Sequence, residues 1–198
     1  MLAKEIRGVL EERLALSRDT LYTERQPWKH DAMLPDILQP GLTLVLAGVA
    51  SGKKSAERGA YYADAGNRFW RTLAAVGFTD RLYQPEEFRS LLKLGIGMTD
   101  LCKTQAGMDK DIGEFDVPAF NAKMNDCKPA AVAFTSKNAA RVWLGERSTE
   151  SISYGWLEHS NVLAPPVFVL SSTSGASGHW SEAPWKELQS WWWSQRNQ

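Results

Sequence analysis

The segment Gly48-Val49-Ala50-Ser51-Gly52-Lys53-Lys54-Ser55 has the residue types that hold a phosphate: glycines, hydroxyls and a lysine. A nucleotide-binding P-loop needs four residues between its glycines, a Lys after the second, then a Ser or Thr on the metal ion. Here three residues separate Gly48 from Gly52, and Lys54 stands where the metal-ligating hydroxyl belongs. A Gly/Ser turn joining a strand to a helix is the better reading, and Mg2+-dependent nucleotide binding is not expected. Tryptophan offers a second chemistry. The chain has 9 in 198 residues, and Trp180, Trp185, Trp191, Trp192 and Trp193 fall in the final nineteen. Indole rings can stack on nucleobases, but three consecutive helical residues point about 100° apart and cannot all face one ligand. The plainer expectation is a C-terminal helix packing its rings on a sheet, with at least one of the three turned to solvent or a partner. Cys102 and Cys127 are too few for a disulfide framework or a four-thiolate zinc site.

The elements that must carry these loops are legible in the apolar pattern. Leu2, Ile6, Val9, Leu10 and Leu14 recur at helical spacing over 2–17, and 18–41 reads as irregular, punctuated by Pro27, Pro35, Pro40 and Gly41. Leu42 to Val49 is almost continuously apolar, as suits a strand buried on both faces of a parallel sheet. Helices are expected at 67–76 and 85–94, stopped by Gly77 and Gly95, and at 118–127, closed by Lys128-Pro129. Short apolar runs at 96–101, 130–135 and 167–170 are further strands, the last two followed by helices at 137–144 and near 182–195. Strands alternating with helices predict an α/β fold, a three-layer α/β/α sandwich around a central, mostly parallel sheet. Ligands in such folds sit beyond the carboxyl ends of the strands, where the Gly- and Ser-rich loops after Gly48 and Leu170 lie. No repeat or long linker divides the chain, so a single domain over 1–198 is expected, with 1–40 as a helix and irregular lead-in.

Composition narrows the partners. With 43% hydrophobic and 23% charged residues, 198 residues suit one folded domain of ordinary size. No run nears the ~20 apolar residues of a membrane helix. The first nineteen residues mix acids and bases, unlike a signal peptide. Lys+Arg 23 balance Asp+Glu 23, which argues against a protein that coats nucleic acid, because such binding scales with the phosphates neutralised. From Lys53 to Arg71, however, five bases (Lys53, Lys54, Arg58, Arg68, Arg71) face two acids (Glu57, Asp64), a local balance of +3. Such a patch is compatible with brief visits to DNA.

A longer pattern is more specific than any of these features. Gly48 to Gly52 is followed by Ser55-Ala56, Gly59, Tyr61-Tyr62-Ala63 and Asn67-Arg68-Phe69-Trp70. Then come Gly77-Phe78-Thr79, Arg81 and Gly97-Met98-Thr99-Asp100-Leu101, and last Ser172-Thr173-Ser174-Gly175-Ala176-Ser177. In this order, over roughly residues 35–180, the series resembles the active-site motifs of the uracil-DNA glycosylase superfamily, most closely its mismatch-specific uracil/thymine branch. The resemblance implies a base-excision repair enzyme that flips uracil out of DNA and hydrolyses its N-glycosidic bond, leaving an abasic site. It also implies no metal and no cofactor, and a monomer whose partner is DNA containing uracil or a related deaminated base, with no membrane. Lysine occupies no motif position suited to a Schiff base, so a monofunctional enzyme is expected. Catalysis on DNA points to the bacterial cytoplasm, or to a nucleus in a eukaryote.

The resemblance carries roles over position by position. In the family an aromatic ring at the place of Tyr62 lies against the flipped base, and Ala50, Ser51 and Asn67 belong to the same base-binding segment. Asn67 is also a strong helix-capping type. Tyr61 suits the core equally well, and Phe69 and Trp70 are expected there. At the place of Asp100 the family has a polar residue that contacts the base. An ionised Asp can accept an imide N–H, and one whose pKa is raised by burial can donate. Lys53, Ser55, Lys137, Ser172, Thr173, Ser174, Gly175, Ala176, Ser177 and His179 are expected to touch DNA through cations, hydroxyls and backbone amides.

Two departures from the family pattern bear on mechanism. Where the mismatch-specific branch has an Asn that positions the attacking water, this chain has Ala50. Where it often has a bulky residue that fills the gap left by the base, this chain has Ala176. Ser177-Gly178-His179-Trp180 would then supply the bulk, or the substrate would be weakly paired. The preferred account replaces the Asn by a carboxylate, Asp64 first and Asp100 second, able to orient water and stabilise an oxocarbenium-like transition state. The alternatives are a hypoxanthine-DNA glycosylase, which Tyr61-Tyr62-Ala63 and the Ser172 to Gly175 segment also resemble, and a catalytically silent module that binds lesions.

Overall fold

The computed structural model describes residues 34–158 and 165–196. The helix expected over 2–17 and the lead-in up to residue 33 lie outside the described residues. At the centre of the sheet is β1 (Leu44–Gly48), flanked on one side by β2 (Ile96–Asp100) and on the other by β3 (Ala131–Phe134), both parallel to it. A further strand, β5 (Val167–Val169), runs parallel to β3, and the two-residue β4 (Gly155–Trp156) pairs antiparallel with it at the edge, giving the order β2-β1-β3-β5-β4. The opposite edge is covered by the lead-in. Ile37 and Met98 exchange both backbone hydrogen bonds, at 3.0 and 3.1 Å, so β2 offers no open ladder there.

Successive strand residues face opposite sides, and the apolar residues divide accordingly. Leu44 and Leu46 of β1, Ala131 and Ala133 of β3, and Phe168 of β5 enter one cluster. It is closed by Phe69, Trp70 and Leu73 of α2 (Phe69–Val76) and by Trp185, Leu188 and Trp192 of α5 (Ala183–Arg196). Val45, Ala47, Val132, Phe134, Val167 and Val169 enter a second cluster. That one is closed by Phe120, Met124 and Cys127 of α3 (Val117–Cys127) and by Ala139, Ala140 and Trp143 of α4 (Lys137–Leu144). Helices cover both faces, which is the expected three-layer sandwich and the reason β1 reads as an unbroken apolar run.

Three elements differ from expectation. The 85–94 segment is a 3-10 helix rather than an α-helix, begun by Pro85 and closed by Gly95 at φ 70°. Its buried residues, Phe88 and Leu91, are three apart, the spacing that a three-residue turn brings onto one edge. A six-residue helix α1 (Lys53–Arg58) follows the first loop directly. The strand β4 is too short to show alternation. The C-terminal tryptophans behave as expected: Trp185 and Trp192 are buried, Trp191 packs edge-on against Trp156 with centroids 5.1 Å apart, and Trp193 is 55% exposed. Among the described residues no helix is long and apolar enough to cross a membrane.

Candidate active site

From β1 the chain passes to β2 on one side and from there crosses to β3 on the other, so the connections diverge at β1 and a crevice opens beyond the carboxyl ends of these strands. The loops leaving β1, β2, β3 and β5 enclose a cavity of about 840 Å3 there. Its lining brings together Ala50, Ser51, Lys53, Ser55, Tyr62, Asp64, Asn67 and Asp100 with the whole of Ser172 to Ser177. Residues more than a hundred positions apart in sequence thus share one hollow. Lys137 and His179 do not line it: the Lys137 ammonium sits 4.7 Å from the centre of the Tyr154 ring, and the Tyr154 hydroxyl donates to the His179 carbonyl at 3.3 Å.

Tyr62 is fixed on three sides. Its ring stacks on Phe69, centroids 3.9 Å apart and planes 11° from parallel. Its hydroxyl donates to Thr135 Oγ1 at 3.0 Å, and Thr135 donates onward to the Ala47 carbonyl at 3.3 Å. Its backbone has φ 54°, a left-handed conformation uncommon for an aromatic residue. The next amide, Ala63 N–H, is held by Ser55 Oγ at 3.1 Å, so the buried Ser55 hydroxyl braces this turn from inside. Phe69 covers one face of the Tyr62 ring, and Tyr62 is part of the cavity wall. Asn67 caps the following helix by accepting Phe69 N–H at 2.9 Å. Tyr61 belongs to the core while touching the cavity wall, and Phe69 and Trp70 are core residues.

Asp100, at the end of β2, is 5% exposed and forms part of the cavity floor. Gly48 lies opposite it in register, and a Cβ built on Gly48 would collide with Asp100 Oδ1 and come within 3.4 Å of the Tyr62 hydroxyl. Glycine at 48 is what lets the carboxylate and the phenol approach the same backbone. Burial pushes the Asp100 carboxyl up from 3.8 to about 6; Lys103 and Lys123 oppose this, while Asp36 and Asp109 reinforce it. Burial, and then the negative charge of Asp100, likewise raises the Tyr62 phenol, which stays protonated.

Behind Asp100 lies a buried ionic network. Asp36 meets Lys103 at 2.8 Å and Lys123 at 2.6 Å, and it accepts a hydrogen bond from Thr99 Oγ1 at 2.7 Å. Lys103 also donates to the Tyr61 hydroxyl at 3.1 Å. Burial alone would raise the Asp36 pKa, but the two ammonium groups outweigh it and hold the carboxylate ionised. Removing Asp36 would leave the buried Lys123 and the half-buried Lys103 uncompensated, a change of the kind that costs about 3–5 kcal/mol when the stranded charge is buried.

Asp64 is different: its side chain is 45% exposed and it sits on the cavity wall. Lys54 approaches at 2.8 Å, and the Gly66 N–H donates to Asp64 Oδ1 at 2.8 Å. Lys54 first, then the Gly66 amide, holds the carboxyl below its ordinary range, so Asp64 is ionised at any physiological pH.

The two motif loops are locked together by backbone contacts. Arg68 N–H donates to the Thr173 carbonyl at 2.9 Å, and the Arg68 guanidinium donates to the Ser174 carbonyl at 3.3 Å. A Cβ on Gly175 would stand 2.9 Å from the Gly66 carbonyl oxygen, so glycine is needed for this approach. The hydroxyls of Ser172 and Ser174 accept amides of their own loop, from Ser174 and Ala176 respectively, both at 3.3 Å. The cations of the +3 stretch are mostly held in place: Lys54 pairs with Asp64, Arg58 with Glu86 from outside the stretch, and the Arg68 and Arg71 guanidiniums bond to carbonyls. Lys53 remains exposed at the rim with no ion pair among the described residues.

Residues 35–195 match the family model of the uracil DNA glycosylase superfamily, over more than half of the chain and across every loop of the cavity. The chain belongs to the uracil DNA glycosylase superfamily. Its members are DNA glycosylases of base excision repair, and DNA is accordingly the partner class. A similar fold occurs in a solution NMR structure from Methanosarcina acetivorans, described provisionally as a uracil DNA glycosylase. The TM-score is 0.52 at 20% identity, covering 78% of this chain and 93% of the other.

Within this superfamily member, some lining residues carry no motif. Thr135 and Ser136 stand at the carboxyl end of β3, where the strand-end rule would have flagged them. Gly107 to Asp111 line the cavity from a loop that shows no periodicity or motif. It is anchored by the Gly107 N–H donating to the Ser51 carbonyl at 3.0 Å.

Asp100 has a consequence for stability. A carboxyl whose folded pKa exceeds its unfolded value binds its proton more tightly in the fold, so stability falls as pH rises from about 4 to about 6 and is level above. The rise from 3.8 to about 6 corresponds to about 3 kcal/mol at most. Asp100→Asn is therefore expected to melt at a higher temperature than the native chain at pH 7.5, the difference closing by pH 4. Thermal unfolding monitored across that range checks it; a variant that melts lower at pH 7.5 contradicts the buried-charge account.

Proposed function

We propose that the chain is a monofunctional uracil-DNA glycosylase. The observation that carries this reading is the Tyr62 ring, backed by Phe69 on one face, in the wall of a cavity that the Ser172 to Ser177 loop also lines. A base swung out of the duplex would lie against that ring. Aromatic stacking contributes about 1–3 kcal/mol per base and offsets part of the few kcal/mol needed to extrude a nucleotide. Backbone amides of the 172–177 loop, with Lys53 at the rim, would hold the flanking phosphates.

Asp100 reads the base edge. As a carboxylate it accepts the uracil imide N–H, and its burial makes that bond stronger than it would be in water. Asp64 takes the place of the Asn missing at Ala50. It accepts a hydrogen bond from a water beneath the sugar, orients it toward the anomeric carbon, and opposes the positive charge that grows on the sugar ring. The water oxygen bonds to that carbon, the carbon–nitrogen bond breaks, and its electron pair leaves with the base. The proton lost from water passes to Asp64 and then to solvent.

Incubation with uracil-containing oligonucleotides, single- and double-stranded, followed by alkaline cleavage tests the reading. Strand scission at the uracil position is expected; no abasic product on either form overturns it. The rate should fall as pH drops through about 6, where Asp100 gains a proton and its bond from the imide N–H loses the help of the negative charge. The same assay with hypoxanthine and with thymine mismatches fixes base preference, since one methyl group is worth only about 1–3 kcal/mol.

A further inference from the structure

We propose that Met108 is the side chain that enters the duplex where the extruded nucleotide has left, an inference that rests on the glycosylase reading above. Proteins that hold a kinked or opened base step insert an apolar wedge, Met among them. The loop where the superfamily resemblance places a wedge offers little bulk. Ala176 has a single methyl group. Trp180 is half-buried, packed against the core and 5.8 Å from the Arg68 guanidinium, and His179 lies away from the cavity lining.

Five large apolar side chains are exposed among the described residues: Leu82, Met108, Leu144, Tyr154 and Trp193. Met108 is the most exposed of them, at 58%, and the one of the five that lines the cavity. Its mount is rigid. The preceding Gly107 amide is bonded to the Ser51 carbonyl at 3.0 Å, and the Met108 carbonyl accepts Asp111 N–H at 2.8 Å. The following Asp109 carboxylate accepts from Asn138 Nδ2 at 2.9 Å, tying the loop to α4. Met108 therefore projects from the start of the 3-10 turn Asp109–Asp111 with extended backbone, φ −81° and ψ 146°. An unbranched thioether adapts to the irregular edges of an opened base stack, and Lys110, two residues on and also at the cavity, brings a cation to the adjacent backbone.

A wedge matters only where there is a stack to hold open, so the informative quantity is the ratio of the double-stranded to the single-stranded excision rate. Met108→Ala is expected to lower that ratio by about 10-fold or more, and Met108→Leu to restore most of it. Because Met108 is exposed, melting temperatures of both variants should match the native chain, which separates the effect from misfolding. An unchanged ratio in Met108→Ala overturns the wedge assignment while leaving the glycosylase reading intact. Absence of excision by the native chain on both strand forms overturns the glycosylase reading, and the wedge with it.

Discussion

Asp64→Asn is expected to lower the single-turnover excision rate on uracil DNA by about 10²- to 10⁴-fold, the range of a lost general base. The substitution is nearly isosteric. An amide oxygen can still accept the Gly66 N–H that the carboxylate accepts at 2.8 Å, so the turn before Asn67 persists. The lost contact with Lys54 is a surface pair, 66% and 45% exposed, which solvent screens so that it contributes little to stability. Melting should thus scarcely move while the rate collapses. The pairing with Lys54 also settles what pH does. A carboxylate held below its ordinary range stays charged down to the lower end of the carboxylate range, so the acid limb near pH 6 belongs to Asp100 and should survive in the residual activity of Asp64→Asn. Rapid-quench kinetics of the two proteins across pH 4.5–8 provides the measurement. Full activity in the variant would transfer the water-orienting role to Asp100.

Tyr62→Ala is expected to reduce kcat/KM by about 5- to 150-fold, the equivalent of the 1–3 kcal/mol that a base gains on an aromatic platform. It should also destabilise the fold. The Phe69 stack at 3.9 Å and the hydroxyl bond to Thr135 both disappear, and the residue must still sit at φ 54°. Tyr62→Phe separates these losses. It keeps the ring and removes only one hydrogen bond, worth about 0.5–1.5 kcal/mol, so most of the activity should remain with a small fall in melting temperature. Steady-state kinetics and calorimetry on the two variants distinguish a stacking surface from a structural aromatic. Equal activity in Tyr62→Ala and the native chain would remove the platform from the mechanism.

The superfamily pattern and these variants meet at a site whose parts were unevenly visible beforehand. Gly48, Tyr62, Asp100 and Gly175 stand in recognisable strings, yet the reason for each glycine is a contact with a distant residue: Asp100 for Gly48 and Gly66 for Gly175. The +3 stretch from Lys53 to Arg71 read as a patch for phosphates. Glu86, fifteen residues beyond that stretch, pairs with Arg58, and the carbonyls of residues 65, 67 and 174 hold the Arg68 and Arg71 guanidiniums. Thr135 looked like the end of an apolar strand until its hydroxyl was found on Tyr62.

The amino-acid sequence alone determined the order of the long strands and helices, though not α1, β4 or the 3-10 character of 85–94, together with the burial of β1 on both faces and the family, because these depend on local periodicity and on motif strings read within a few residues of one another. Short-range spacing sets which face a side chain takes, and therefore which layers form. Only the tertiary structure decided how the site is charged and walled. The Asp36–Lys103–Lys123 network, the burial of Asp100 over Gly48 and the arrival of the 107–111 loop at the cavity join segments up to 87 residues apart. Electrostatics and desolvation act through space, not along the chain, so no local pattern records them.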